Sequence, residues 1–238
     1  VLSSYSFQGQ DLFVIHVCGG QRGGFFIDSG ASDGVLGSNS LLLETEYGWN
    51  GICIEPNESL FARLAAHRSC ICLNACLYDR EGEVDFLEAA DVYGGIVDEY
   101  DPGHLQFVQA FIRSKGMSSC GSQAITVSKR SLTIRSILRS CSAPDVIDYW
   151  SLDTEGSELA ILRSFPFDEY RVRVLTVEHN NTPAREEIAA FLATHGLRRV
   201  KCLGIDDCYV WGHDVERPAW RSAVWAGRVG SATSGSIV

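Results

Sequence analysis

The sequence predicts an α/β domain built around a mostly parallel sheet and closed by a C-terminal antiparallel hairpin. Three observations carry this. Short apolar runs alternate with amphipathic stretches along the chain, the pattern of strand–helix–strand units. A glycine-rich turn, DSGASDG (28–34), follows directly on the first apolar run, where open sheets of this class bind their ligands. Two short β-rich runs, LRRVKCLG and DDCYVWG, sit close together near the end and read as a hairpin.

In order, GFFID is the first strand, and SNSLLLETEYG a helix with Ser38 or Ser40 as its cap and Gly48 as its stop. GICIE is the second strand, NESLFARLAAH a helix capped by Asn57, and SCICLNACLY the third strand. EVDFLEA and QAITVS read as extended segments around a polar region, with one helix near HLQFVQAFIR. VIDYWSLD then ends at Asp153, GSELAILRSF is helical, RVRVLTVEHN is a strand, and PAREEIAAFLATHG is a helix with Pro183 in its first turn. The expected domain covers residues 1–227, with an insertion or lid over the active face at about 91–121 and a flexible tail at 228–238.

Net charge is −10, from 30 acidic and 20 basic residues, without a basic cluster; this argues against a nucleic-acid partner. No apolar run reaches the ~18 residues of a membrane span. The nine cysteines are scattered, several in apolar runs, so a reducing, cytoplasmic setting is expected. The first residue is Val1 rather than Met, so a piece of a larger multidomain protein is expected.

Dinucleotide-binding turns use G-x-G-x-x-G so that pyrophosphate approaches bare backbone. Here the turn is D-x-G-x-x-D-G, and Asp28 and Asp33 would repel a pyrophosphate. S-adenosylmethionine, with an ammonium, a sulfonium and no phosphate, removes the conflict: its ammonium meets acidic groups, and its carboxylate takes the N–H donors of the turn. Glu55 lies 21 residues after Gly34, where a carboxylate accepts both ribose hydroxyls, although this feature is shared with NAD-binding folds. The plainer alternatives are a helix cap for Asp28 and a solvated strand-end carboxylate for Glu55.

FFIDSGASDG, GWNGICIEPN, NACLYD, YWSLDTEGSELAILRSF and VEHN, in this order, resemble the FkbM-type methyltransferases, and SYSFQGQDLFV resembles the Ser-x-x-Gly-x-Asp stretch that precedes that domain. The resemblance spans roughly residues 5 to 211. It implies a class I, Rossmann-like methyltransferase fold and an S-adenosylmethionine-dependent enzyme, mostly an O-methyltransferase tailoring natural products or sugars. It implies further that Asp28, Gly30, Ala31, Asp33, Asn39, Glu55 and Pro56 hold the donor, with Asn74 and Ala75 near the adenine. Asp153, also in the donor set, and Glu155 would face the reaction with a small-molecule or carrier-bound acceptor.

Methyl transfer to an alcohol needs alignment and a base. His179 is the expected base because histidine titrates nearest neutral pH, the alternative being a hydrogen-bonded histidine that holds the strand end. Asp153 orients it or touches the donor, and Glu158 at a helix start is structural. No metal is assigned: a divalent ion on Asp153, Glu178, His179 and Asn180 is the less favoured reading, and zinc on Cys70, Cys72 and Cys76 lacks a matching second pair. The Gly94–Gly95 pair reads equally as a pocket wall or a plain turn. His67, His104, His195 and His213 are read as surface or packing residues. The competing functions are a nicotinamide-dependent oxidoreductase, opposed by the acidic turn, and a non-catalytic interaction module that keeps the fold.

Overall fold

The computed structural model describes residues 3–114 and 126–212; the end of the expected insertion, the domain end at 227 and the 228–238 tail lie outside them. Helix α1 (Gln10–Val17) leads into β1 (Phe25–Ser29), followed by α2 (Leu41–Tyr47), β2 (Asn50–Ile54), α3 (Glu58–His67) and β3 (Ile71–Leu73). Strands β4 (Cys76–Tyr78) and β5 (Gly82–Leu87), helix α4 (Pro102–Ser114) and strand β6 (Thr126–Thr133) come next. The chain then runs through α5 (Ile134–Ser140), β7 (Val146–Leu152), α6 (Glu158–Ser164), β8 (Arg171–Glu178), α7 (Ala184–Thr194), β9 (Leu197–Leu203) and β10 (Asp206–Trp211).

The main sheet has seven strands in the order β3-β2-β1-β7-β8-β10-β9. All neighbours from β3 to β8 pair in parallel, and β10 runs antiparallel to both β8 and β9. Strands β1, β7 and β8 are buried on both faces, which is why they read as continuous apolar runs. Alternation divides them: Ile27, Trp150 and Leu175 pack with α5, α6 and α7, while Phe26, Tyr149 and Val174 pack with α1, α2 and α3. Strand order reverses between β1 and β7, so the C-terminal ends of those strands open a crevice.

Two readings of the sequence change. SCICLNACLY is not one strand: β3 joins the main sheet, while β4 joins β6 and β5 in a separate three-stranded sheet. At the break, Asn74 donates to the carbonyls of Glu55 and Pro56. Helices α1 and α5 were not expected. The first is braced by the Ser-x-x-Gly-x-Asp stretch, in which Asp11 accepts from Tyr5 N–H and Ser6 N–H while its own N–H donates to Ser6 Oγ. The second is capped by Thr133, whose hydroxyl accepts from Ser136 N–H. Among the described residues, no helix is long and apolar enough to cross a membrane.

Candidate active site

The site begins where the first turn leaves β1. Gly30 has φ 80°, and a Cβ there would stand 1.8 Å from the Asp153 carbonyl oxygen, so only glycine lets the ends of β1 and β7 meet. Gly30 N–H and Ala31 N–H both donate to the Ile54 carbonyl, and Asp153 N–H donates to that of Ser29. Beside this junction lies a cavity of about 720 Å³. Asp28, Gly30, Ala31, Asp33, Asn39, Glu55, Pro56, Asp153 and Glu155 all line it, as do Gly94 and Gly95.

Most N–H groups of the turn are engaged within the protein. Ser32 N–H donates to Glu55, Gly34 N–H to the Ala31 carbonyl, and Val35 and Leu36 N–H to Asp33 Oδ1. With Gly30 and Ala31 also engaged, these donors are already spent, which corrects the expectation that a donor carboxylate would take them. Asp28 is buried and accepts from the Ser40 hydroxyl, itself held by Arg68 Nη2 at 2.9 Å. Burial raises the Asp28 pKa, against the lowering pull of Arg68 and the Ser40 bond. Ser40 is the N-cap residue of α2 but makes no cap bond of its own, and the Ser38 hydroxyl accepts from Leu41 N–H instead.

Glu55 is buried, and burial pushes its pKa up to about 7 despite the N–H groups of Asn57 and Ser32, 2.7 and 2.9 Å away. Each carboxylate oxygen thus accepts one backbone N–H and retains a second lone pair. Asn39 donates to Ser151 Oγ, while its own Oδ1 is buried without a partner among the described residues.

At the far end, carboxylate oxygens of Asp153, Glu155 and Glu178 lie within 4.8 Å of one another. Asp153 and Glu178 share a side-chain hydrogen bond, and burial first, then neighbouring carboxylates, raises the pKa of both well above the ordinary range. Glu155 instead accepts from His104 at 2.6 Å. Glu158 braces the turn from Thr154 to Gly156 through their N–H groups.

His179 does not reach this cavity. Successive residues of a strand face opposite sides, so Glu178 lines the cavity and His179 does not. Its Nδ1 accepts from Asn181 N–H at 3.0 Å, which leaves the proton on Nε2, near Cys202 Sγ at 3.7 Å and Asp207 Oδ1 at 4.0 Å. Burial, and then Arg185, lower its pKa. The general-base expectation for this residue is corrected on that geometry. A metal on His179, Cys202 and Asp207 is opposed too, because Nε2 is the protonated nitrogen and Asp207 is occupied by Arg185 and Arg199. Asn74 is exposed at the β3 end, Ala75 is buried, and neither lines the cavity, whereas the following Cys76 and Leu77 do.

Sequence reasoning missed Arg68 and His104. Arg68 directly follows α3 in extended conformation and His104 stands in the amphipathic α4, with no local pattern to distinguish either from a surface residue. Only the tertiary fold brings Arg68 to Ser40 and His104 to Glu155.

The site thus sits on a mostly parallel sheet with an antiparallel strand near one edge, beside a glycine turn at the point where strand order reverses. Residues 28–199 match the family model of the methyltransferase FkbM domain, and the chain belongs to that family. No curated protein matches the sequence. Among solved structures the chain is similar to a methyltransferase FkbM from Methylobacillus flagellatus KT, at 13% identity and TM-score 0.45, over 79% of this chain and 44% of that one. It is also similar to precorrin-6y C5,15-methyltransferase from Geobacter metallireducens GS-15, at 11% identity and TM-score 0.41, over 84% and 85% of the two chains. It therefore spans less than half the length of the first of these.

Proposed function

We propose that the chain transfers the methyl group of S-adenosylmethionine to an oxygen of a small-molecule, sugar or carrier-bound acceptor. The observation that carries this reading is the cavity lining: eight carboxylates (Asp28, Asp33, Glu55, Asp91, Asp153, Glu155, Glu178 and Asp206) against one arginine, Arg63. Such a lining suits a donor with a sulfonium and an ammonium, and opposes pyrophosphate and nucleic acid. The spent N–H groups of the turn argue the same way, since a dinucleotide would need them free.

The residues present fit the donor. Glu55 has lone pairs for the ribose hydroxyls, and the unpartnered Asn39 Oδ1 suits the ammonium. When bound, the donor supplies an electrophilic methyl group. Asp28 and Glu55 bind, Gly30 keeps the β1 and β7 ends together, and Asp153 and Glu155 face the reaction. A reducing, cytoplasmic setting is supported by Cys53, Cys76 and Cys208, which are buried as small apolar side chains.

The test is a calorimetric titration with S-adenosylmethionine, S-adenosylhomocysteine and NAD, followed by transfer of labelled methyl to hydroxyl compounds. Binding of the first two and not of NAD supports the reading. Preferential NAD binding, or label reaching nitrogen or carbon alone, overturns it.

A further inference from the structure

His104 stands on α4, and its Nε2 meets Glu155 Oε2 at 2.6 Å with both side chains nearly closed to solvent, at 10% and 7% exposure. The imidazole is stacked between Tyr100 and Phe107, ring centroids 5.8 and 6.0 Å away. Tyr100 in turn donates its hydroxyl to the Tyr93 carbonyl at 2.5 Å. Glu155 adopts φ 61°, and the next residue, Gly156, is so close to the Tyr93–His104 segment that a Cβ would meet the Glu99 carbonyl oxygen at 2.5 Å. Backbone packing on one side and aromatic stacking on the other thus set a histidine and a cavity-lining carboxylate in one geometry. Of the three carboxylates at this end, Asp153 and Glu178 bond to each other, whereas Glu155 is paired with the His104 imidazole.

The geometry points to Glu155 as the group that takes the acceptor's proton, and to His104 as the positioning residue that holds it for this task; the inference rests on the donor reading above. Both side-chain donors to Glu155, His104 Nε2 and Asn180 Nδ2, use Oε2, so Oε1 receives the proton. In the step, the acceptor oxygen forms a bond to the methyl carbon, the C–S bond breaks with its electron pair left on sulfur, and the acceptor's proton passes to Glu155. No oxidant or reductant is needed.

The surroundings of the pair are acidic. Asp101 and Glu158 act on His104 together with Glu155, and the Glu155 bond is the largest cause of its raised pKa. Asp153, Glu158 and Glu178 face Glu155, with the Tyr93 and Tyr100 hydroxyls beside them. An imidazolium at this place offsets the repulsion that a charged Glu155 meets from its neighbours.

The test uses the wild-type chain, Glu155→Gln and His104→Gln, each first titrated with S-adenosylhomocysteine. Loss of that binding in wild type would fail the donor reading, not this one. With S-adenosylhomocysteine bound, NMR titration of ¹⁵N-labelled histidines should show the His104 ring keeping its proton to higher pH than an ordinary histidine, and Glu155→Gln should abolish the shift. Tritiated methyl transfer to phenol, catechol and glycerol should fall ~10²–10⁴-fold in Glu155→Gln, the usual reach of a general base. In wild type, kcat/KM should decline as pH rises through the His104 pKa, and His104→Gln, which keeps an N–H donor but cannot titrate, should lose that alkaline decline. A His104 that titrates as an ordinary histidine, or a shift that survives Glu155→Gln, overturns the proposal. So does an alkaline decline unchanged in His104→Gln. If none of the three compounds accepts the methyl, the titration alone decides.

Discussion

Gly30 and Asp153 touch through backbone, the one without a Cβ and the other with its carbonyl oxygen 1.8 Å from where that Cβ would be. The contact fixes the glycine turn after β1 against the end of β7. Gly30→Ala combines a left-handed φ with a backbone clash, so a loss of at least ~3 kcal/mol in unfolding free energy is expected. Urea unfolding checks it; a change within ~0.5 kcal/mol, the level of an ordinary surface substitution, would show that the turn adapts.

His179→Gln should cost stability and not donor binding. The loss of the Nδ1 acceptor removes the bond from Asn181 N–H, at a net cost of ~0.5–1.5 kcal/mol because Asn181 is exposed and its N–H can turn to water. S-adenosylhomocysteine affinity should stay within about twofold, because no cavity contact changes. A large drop in affinity at unchanged stability would return His179 to the site.

Arg68 holds together the wall that carries Asp28. Its side chain is fully buried and donates to Glu44 Oε2, the Gly34 carbonyl, Ser38 Oγ and Ser40 Oγ. Arg68→Met removes a buried cation from between carboxylates, at an expected cost of ~3–5 kcal/mol. Denaturant unfolding measures it, and the double variant with Glu44→Gln should lose less than the sum of the singles, since the partners are coupled. Strict additivity would contradict the network.

Much of this architecture was legible in the sequence, for a physical reason. Parallel strands buried on both faces must be continuous apolar runs, so GFFID, GICIE and VIDYWSLD stood out, and the turn after β1 located the cavity. The break in SCICLNACLY was hidden because β3 and β4 are three residues each and differ only in which sheet accepts them. Strand alternation put the carboxylate of Glu178 at the cavity and turned the more conspicuous His179 away. The histidine that meets a cavity-lining carboxylate, His104, sits 51 residues before its partner Glu155, and only the packing of α4 brings the two together.

Stability should fall as pH rises from about 4.5 to about 7. Glu55 has its pKa raised from 4.5 to about 7, so the native state binds more protons than the unfolded chain in that window. The contribution is full below the unfolded pKa and is lost as pH passes the folded one, on the order of 2–3 kcal/mol for a shift of this size. Asp28, Asp153 and Glu178, also raised by burial, act in the same sense. Urea unfolding at pH 5 and pH 8 should show the loss, and Glu55→Gln should reduce it; an equal loss in the variant would remove Glu55 as a source.

The most direct test of the account is calorimetric titration of S-adenosylhomocysteine into wild type and Glu55→Gln across pH 5.5 to about 8.5. In wild type, affinity should strengthen as pH rises through about 7, with proton release, because ribose hydroxyls favour the ionised carboxylate. Glu55→Gln should weaken binding by ~1.5–3 kcal/mol, roughly 10- to 150-fold, above pH 7 and lose most of the pH dependence. Tight binding that is unchanged by the substitution, or no binding by the wild-type chain at any pH, would contradict the assignment of this cavity to the methyl donor.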